Sequence, residues 1–339
     1  MKTFYSEAHR KHDPPFEVFD GGLRVPYLEN PDRMDRILNA LSKTDWAEVI
    51  EPTDFGLDPI YAVHDKDYID FLASCWTEWL DTDARDKSTL LPSTFALRRH
   101  PQKPASLLGR AGYYMMDLSA CIVEGTYHAA LASANCALSA AQAVANGERS
   151  AFALCRPPGH HAGKDYAAGY CFINNASVAA NWLSAGKVAL LDIDYHCGNG
   201  TQDIFYERND VLTISIHADP NFEYPHFAGF ADEMGAGAGL GFHKNFPLEK
   251  GTDNARYLSA VEEALSLIRK FAPKYLVVSA GMDIYAEDPL GTIKVTTDGI
   301  REIGRRISAL GLPTVIVMEG GYNNDALGRN IIGILGEFK

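Results

Sequence analysis

Asp192-Ile193-Asp194-Tyr195-His196 places three cation-holding side chains close together in the chain. It follows the apolar run Val188-Ala189-Leu190-Leu191 and precedes polar and Gly-rich residues, the pattern of a buried strand. Residues two apart in a strand point the same way, so Asp192, Asp194 and His196 share a face. Two carboxylates and an imidazole at the end of a buried strand are costly without a cation. Two readings follow: a metal site, or buried acids that cap neighbouring helices.

The elements that position this segment alternate. The patterns predict helices over 128–146, 174–185, 254–271 and 298–310, the last with Asp298 as N-cap. They predict strands over 151–155, 187–192, 211–217, 275–280 and 314–318. Strands alternating with helices imply a mostly parallel sheet covered on both faces. Such sheets bind ligands beyond the carboxyl ends of their strands.

Reactive residue types stand at one strand exit after another. Arg156-Pro157-Pro158-Gly159-His160-His161 follows the first strand, Asp194 and His196 the second, and Asp219, Pro220 and Tyr224 the third. Gly281, Met282 and Asp283 follow the fourth, and Glu319-Gly320-Gly321-Tyr322 the fifth. Asp194, His196 and Asp283 are the candidate metal ligands, since three protein ligands leave a position open for water and substrate. Zinc suits these donors, and iron or manganese is compatible with them. In extended chain His160 and His161 diverge; one suits proton shuttling and the other polarising a water, or one is a core histidine and the other exposed. Tyr322 is a candidate donor to a carbonyl oxygen gaining charge, or a turn tyrosine packed on the core. Tyr170 and Tyr224 suit the walls of a narrow channel, or ordinary packing, and Leu290 is a further candidate channel residue. Cys197, beside His196, reads as a packed thiol, and His217 either lines the site or is structural.

The chain has 339 residues, 46% hydrophobic and 22% charged, with a formal net charge of −13. That charge argues against a nucleic-acid partner and suits solubility or a cationic substrate. The six cysteines form no CxxC pair and read as reduced thiols. The first residues lack the apolar core of a signal peptide, and no window approaches the ~18 apolar residues of a membrane span. The expectation is a cytoplasmic protein with no membrane partner. Residues 80–106, with Asp81, Asp83, Asp86, Pro92, Arg98, Arg99, His100, Pro101 and Pro104, read as a long loop or insertion, serving as a lid, a subunit contact or plain surface.

Five segments together resemble the histone deacetylase and acetylpolyamine amidohydrolase superfamily: RPPGHHAG at 156–163, GYCFINNASV at 169–178, LDIDYHCGNGTQDIFY at 191–206, SAGMDIYAEDPLG at 279–291 and MEGGY at 318–322. With FDGG at 19–22 and HDKDYIDFL at 64–72, the chain most resembles the bacterial acetylpolyamine branch. The resemblance implies the arginase–deacetylase α/β fold, one domain over 1–339 with a central parallel sheet. It implies one zinc on Asp194, His196 and Asp283, His161 as general base and acid, and His160 as its electrostatic partner. Asp192 would orient His160, Asn199 would support His161, and Tyr322 would polarise the scissile carbonyl. A structural potassium would sit on the side chains of Asp192, Asp194 and Ser215 and the backbone oxygens of His196 and Ile216. Asn199 is neutral where some family members carry an acid. Cys197 stands where the family usually has a second histidine, and Glu319 where several deacetylases have glycine.

The implied reaction is hydrolysis of an N-acetylated polyamine or diamine, of the acetylputrescine or acetylcadaverine type, to acetate and free amine. Glu17 and Asp117 are candidates to attract a distal ammonium, or solvated surface carboxylates. The insertion would build a homodimer that narrows the mouth. Rival readings are an acetyl-lysine deacetylase of the same fold, an arginase-like ureohydrolase with two metals, and a non-catalytic binder.

Overall fold

The computed structural model describes residues 1–19, 22–96 and 102–339. Strand β1 (Lys2–Phe4) is followed by the hairpin β2 (Glu17–Phe19) and β3 (Leu23–Val25). Helix α1 (Asp32–Leu41), strand β4 (Glu48–Ile50) and helices α2 (Asp58–Tyr61), α3 (Lys66–Leu80), α4 (Leu107–Tyr114) and α5 (Thr126–Ala145) come next. Strand and helix then alternate: β5 (Ser150–Ala153), α6 (Asn175–Leu183), β6 (Val188–Asp192), α7 (Asn199–Phe205), β7 (Val211–Ala218), β8 (His243–Leu248) and α8 (Asn254–Phe271). The chain closes with β9 (Tyr275–Ala280), α9 (Thr297–Ser308), β10 (Thr314–Met318) and α10 (Asn324–Leu335).

Among the described residues, eight strands form one parallel sheet in the order β4-β1-β5-β10-β9-β6-β7-β8, and β2 pairs antiparallel with β3 outside it. The two faces are buried by alternating residues. Ala189 and Leu191 of β6, Val278 of β9 and Ile316 of β10 pack with α1, α8, α9 and α10. Val188, Leu190, Val277 and Val315 pack with the small residues of α5 and α6. Burial on both sides explains the near-continuous apolar runs of these strands. Truncating one, as in Leu191→Ala, would cost about 2–5 kcal/mol. Because the strands are parallel, their carboxyl ends lie at one edge, and the reactive loops gather there.

The central elements agree with the sequence patterns to within two residues. Helix α9 is capped by Thr296, whose side chain accepts from Gly299 N, while Asp298 lies in the first turn. Thr is an accepted cap residue, and the acid in the first turn favours the positive helix end instead. Between α3 and α4 the described residues 81–96 and 102–106 carry neither helix nor strand, apart from a bridge between Leu90 and Ile122. Arg98, Arg99, His100 and Pro101 lie outside the described residues. No helix among the described residues is long and apolar enough to cross a membrane.

Candidate active site

Asp194 and His196 lie on the turn after β6, and Asp283 on the turn after β9. Their donor atoms all lie within 4.8 Å of one another. His196 Nδ1 stands 3.4 Å from Asp194 Oδ1 and 3.3 Å from Asp283 Oδ2. Donors bonded at about 2.0–2.1 Å to one tetrahedral ion stand roughly 3.4 Å apart, so these spacings suit a shared zinc-like ion. The remaining carboxylate oxygens are occupied. Asp283 Oδ1 accepts from Tyr195 N at 2.9 Å and Asp194 Oδ2 from Gly320 N at 2.9 Å. Asp283 Oδ2 is buried and accepts no hydrogen bond. Burial, together with the Asp194 charge, pushes the Asp283 carboxyl up to about 7. Two crowded buried acids with one orphaned oxygen are what a cation would relieve. A Cβ at Gly281 or Gly320 would collide with these carboxylates, so both glycines are needed for close approach.

His160 and His161 do not diverge. Their turn brings the rings to 3.9 Å between centroids, tilted by 42°. His160 Nδ1 lies 2.9 Å from Asp192 Oδ2, and His161 Nδ1 lies 2.7 Å from Asn199 Oδ1. Both acceptors oblige Nδ1 to carry the proton, leaving Nε2 of His161 with its lone pair. The two rings are driven apart in charge. Burial opposes protonation of His160, but Asp194 and Asp192 outweigh it and hold the ring well above its ordinary value. Burial, reinforced by His160 and His196, holds His161 well below. The two touching rings are thus pushed in opposite directions, His160 toward and His161 away from the protonated form.

Tyr322 follows Gly321, whose φ of +119° lies outside the range of side-chain-bearing residues. Burial pushes its hydroxyl well above the ordinary phenol value, against the nearby Arg33 charge, so it remains a donor. Its backbone N donates to Asp288 Oδ2 at 2.7 Å. A cavity of about 790 Å³ reaches His161 and His196 past Asp117, Tyr170, Tyr224 and Leu290, with Tyr322 in its wall.

The two acidic candidates differ. Asp117 lines the cavity, and its Oδ2 accepts from Tyr224 Oη at 2.6 Å and Gly169 N at 2.8 Å. Glu17 is in strand β2 rather than a loop, and it is fully buried rather than at the surface. It accepts from Tyr170 Oη at 2.6 Å and Leu28 N at 2.8 Å. Those bonds hold Tyr170, whose φ of +69° is strained for a side-chain-bearing residue.

Asp192 pairs in register with Ser215 of β7, next to Ile216. Ser215 Oγ lies 2.7 Å from His217 Nδ1, and His217 Nε2 lies 2.9 Å from Gly229 O, so His217 is a structural histidine away from the cavity. Cys197 is fully buried, and burial pushes its thiol well above the ordinary value, as for an inert packed thiol.

Sequence patterns missed the supports. Arg33 donates from Nε to Gly321 O at 2.8 Å, from Nη2 to Glu319 O at 2.6 Å and from Nη1 to Glu29 Oε1 at 2.6 Å. Arg156 Nε reaches the same Glu29 oxygen at 2.9 Å. Asp288 and Glu319 are likewise buried behind the site. Arg156 and Glu319 are visible as parts of strand exits and Asp288 within the 279–291 segment; Glu29 and Arg33 carry no local signal.

A parallel α/β sheet with an Asp/His/Asp cluster, a paired histidine turn and a tyrosine at adjacent strand exits defines the arginase–deacetylase class of fold. The histone deacetylase domain model matches residues 27–337, and the chain belongs to that family. It is 46% identical to acetylpolyamine amidohydrolase 2 of Pseudomonas aeruginosa, covering 100% of this chain and 99% of that protein. It is 42% identical to acetylpolyamine amidohydrolase of Mycoplana ramosa, covering 99% and 98%. The crystal structure of acetylpolyamine aminohydrolase from Burkholderia pseudomallei superposes with a TM-score of 0.96 at 43% identity, covering 100% of this chain and 98% of that one.

Proposed function

We propose that this chain hydrolyses N-acetylated polyamines or diamines, of the acetylputrescine or acetylcadaverine type, to acetate and free amine. The observation that carries the reading is His161, its Nδ1 2.7 Å from Asn199 Oδ1, opening with His196 onto the cavity that Tyr322 walls. The amidohydrolase relatives, similar over their full length, supply the substrate class.

Asp194, His196 and Asp283 would hold one zinc, which when bound polarises the amide carbonyl and lowers the pKa of a water. Nε2 of His161 accepts the proton of the attacking water and later delivers it to the leaving nitrogen. His160, held by Asp192 and favoured in its protonated form by Asp194 and Asp192, adds positive charge beside the site. The Tyr322 hydroxyl donates to the carbonyl oxygen as it gains negative charge. Tyr170, Tyr224 and Leu290 enclose the aliphatic stem and exclude water. Asp117 offers negative charge to a distal ammonium, whereas Glu17 acts through Tyr170. The oxygens of Asp192, Asp194, Ser215, His196 and Ile216 are suited to a potassium ion, which takes oxygen donors.

A homodimer is part of the same reading: Leu23 (62% exposed) and Phe95 (41% exposed) stand at the cavity, where a second copy would cover them and narrow the entrance. A cytoplasmic location fits six free, buried cysteines.

The test is metal-stripped protein assayed on N-acetylputrescine. One equivalent of zinc per chain should restore hydrolysis, and Asp283→Ala should neither retain zinc nor recover. Two metals per chain with arginine hydrolysis would point to a ureohydrolase, and a zinc-loaded protein inert toward every acetylated amine to a binder.

A further inference from the structure

Glu319 is fully buried at the end of β10, away from the metal ligands in sequence. Its Oε2 accepts from Gly159 N at 2.7 Å and His160 N at 3.2 Å, and its Oε1 accepts from Ser279 Oγ at 3.2 Å. Pro157 and Pro158 carry no backbone N–H, so Gly159 and His160 supply the first backbone donors of the histidine turn. One carboxylate takes both. Gly159 is packed so closely on Ile173 O and Asn175 N that a Cβ would collide, so the turn has no slack on its other side. The backbone at this point makes contacts of its own. Glu319 O accepts from Arg33, and the following Gly320 N donates to Asp194. Two residues therefore tie the histidine turn, a ligand carboxylate and the arm bearing Tyr322 to one strand end.

We propose that Glu319 is a positioning residue, whose carboxylate clamps the Pro157–His161 turn to the end of β10 and fixes His161 relative to Tyr322. The kinetic part rests on the deacetylase reading above. Two substitutions separate the reach of the side chain from its carboxyl chemistry. Glu319→Gln keeps the reach, offers one oxygen to both N–H groups and lets its amide donate to Ser279 Oγ, but is no longer a carboxyl group. Glu319→Asp keeps the carboxyl group but withdraws it by one methylene, about 1.5 Å.

Amide hydrogen exchange at Gly159 and His160 reads the clamp whether or not the enzyme turns over. Exchange should stay slow in the wild type and in Glu319→Gln, and accelerate in Glu319→Asp. Since a misplacement of about 1 Å costs on the order of 10²-fold, kcat on N-acetylputrescine should be at least about tenfold higher in Glu319→Gln than in Glu319→Asp, with KM similar in the two. Unchanged protection in Glu319→Asp overturns the clamp. A kcat in Glu319→Asp equal to or above that of Glu319→Gln overturns its catalytic consequence. A wild type inactive on acetylated amines, with the exchange pattern as expected, leaves the clamp standing and sinks only the functional reading.

Discussion

His161 Nδ1 lies 2.7 Å from Asn199 Oδ1, and that contact fixes the ring's tautomer, with the proton on Nδ1 and the lone pair on Nε2. Asn199 Nδ2 in turn donates to Tyr166 Oη at 3.3 Å, so its amide orientation is set from behind. A neutral partner leaves His161 well below its ordinary value, with burial as the first cause.

Asn199→Asp should therefore raise the basicity of His161. An opposite charge at this distance favours the protonated ring by roughly 1–3 pKa units. The acid limb of the kcat/KM profile should move to higher pH by at least about one unit, because a base of higher pKa needs higher pH to be free. A pH–rate profile that does not move would show that His161 is not the group being titrated.

Tyr322→Phe should lower kcat by about 10²–10³ if the hydroxyl is the donor to the developing oxyanion. Zinc content and the melting temperature should stay near those of the wild type, because the ring and the Asp288 contact to its backbone remain. Undiminished turnover would remove Tyr322 from the mechanism.

Glu29 joins the guanidinium groups of Arg33 and Arg156, all three buried. Glu29→Ala leaves two buried cations without their carboxylate, a loss of about 3–5 kcal/mol. Arg33 also holds the carbonyls of Glu319 and Gly321, so the variant should lose activity at temperatures where it is still folded. Urea unfolding of the variant and turnover below its melting temperature check both parts.

His64 Nδ1 donates to Gly163 O, 2.8 Å away, and its Nε2 accepts from Asn174 N at 2.9 Å. Burial lowers the ring from 6.5 to about 4. Its folded pKa is depressed, so the neutral ring's stabilisation is present above pH ~6.5 and lost as pH falls toward 4. The full span is worth roughly 3 kcal/mol. Stability from urea unfolding should fall across that window, and His64→Gln, which does not titrate there, should show a shallower fall. His217 and His243, both lowered to about 4 by burial, act in the same direction.

The sheet centre was legible because β6, β9 and β10 are near-continuous apolar runs, β7 is rich in β-branched residues, and reactive residues follow each. Its edges were not. Strands β1 and β4 have three residues each, too few to show a period, and β8 carries Pro247, which suits only an edge. The candidate ligands are contributed by two turns of the chain, each directly after an apolar strand, so both carry a local signal. The supports do not: Glu29 and Arg156 are far apart in sequence, and nothing local to Glu29 says it will be buried. Glu17 was misplaced for a related reason, since a polar residue in a three-residue hairpin strand reads as surface until Tyr170 folds onto it.

The most direct measurement is kcat/KM of the zinc-loaded enzyme for N-acetylputrescine or N-acetylcadaverine against an acetyl-lysine peptide. Tyr170, Tyr224 and Leu290 wall the cavity and Asp117 lines it, a lining suited to a slender cation. The acetylated diamine should be preferred by on the order of tenfold or more, the worth of about 1.4 kcal/mol in transition-state binding. Preference for the peptide, or no hydrolysis of either diamine, would contradict it.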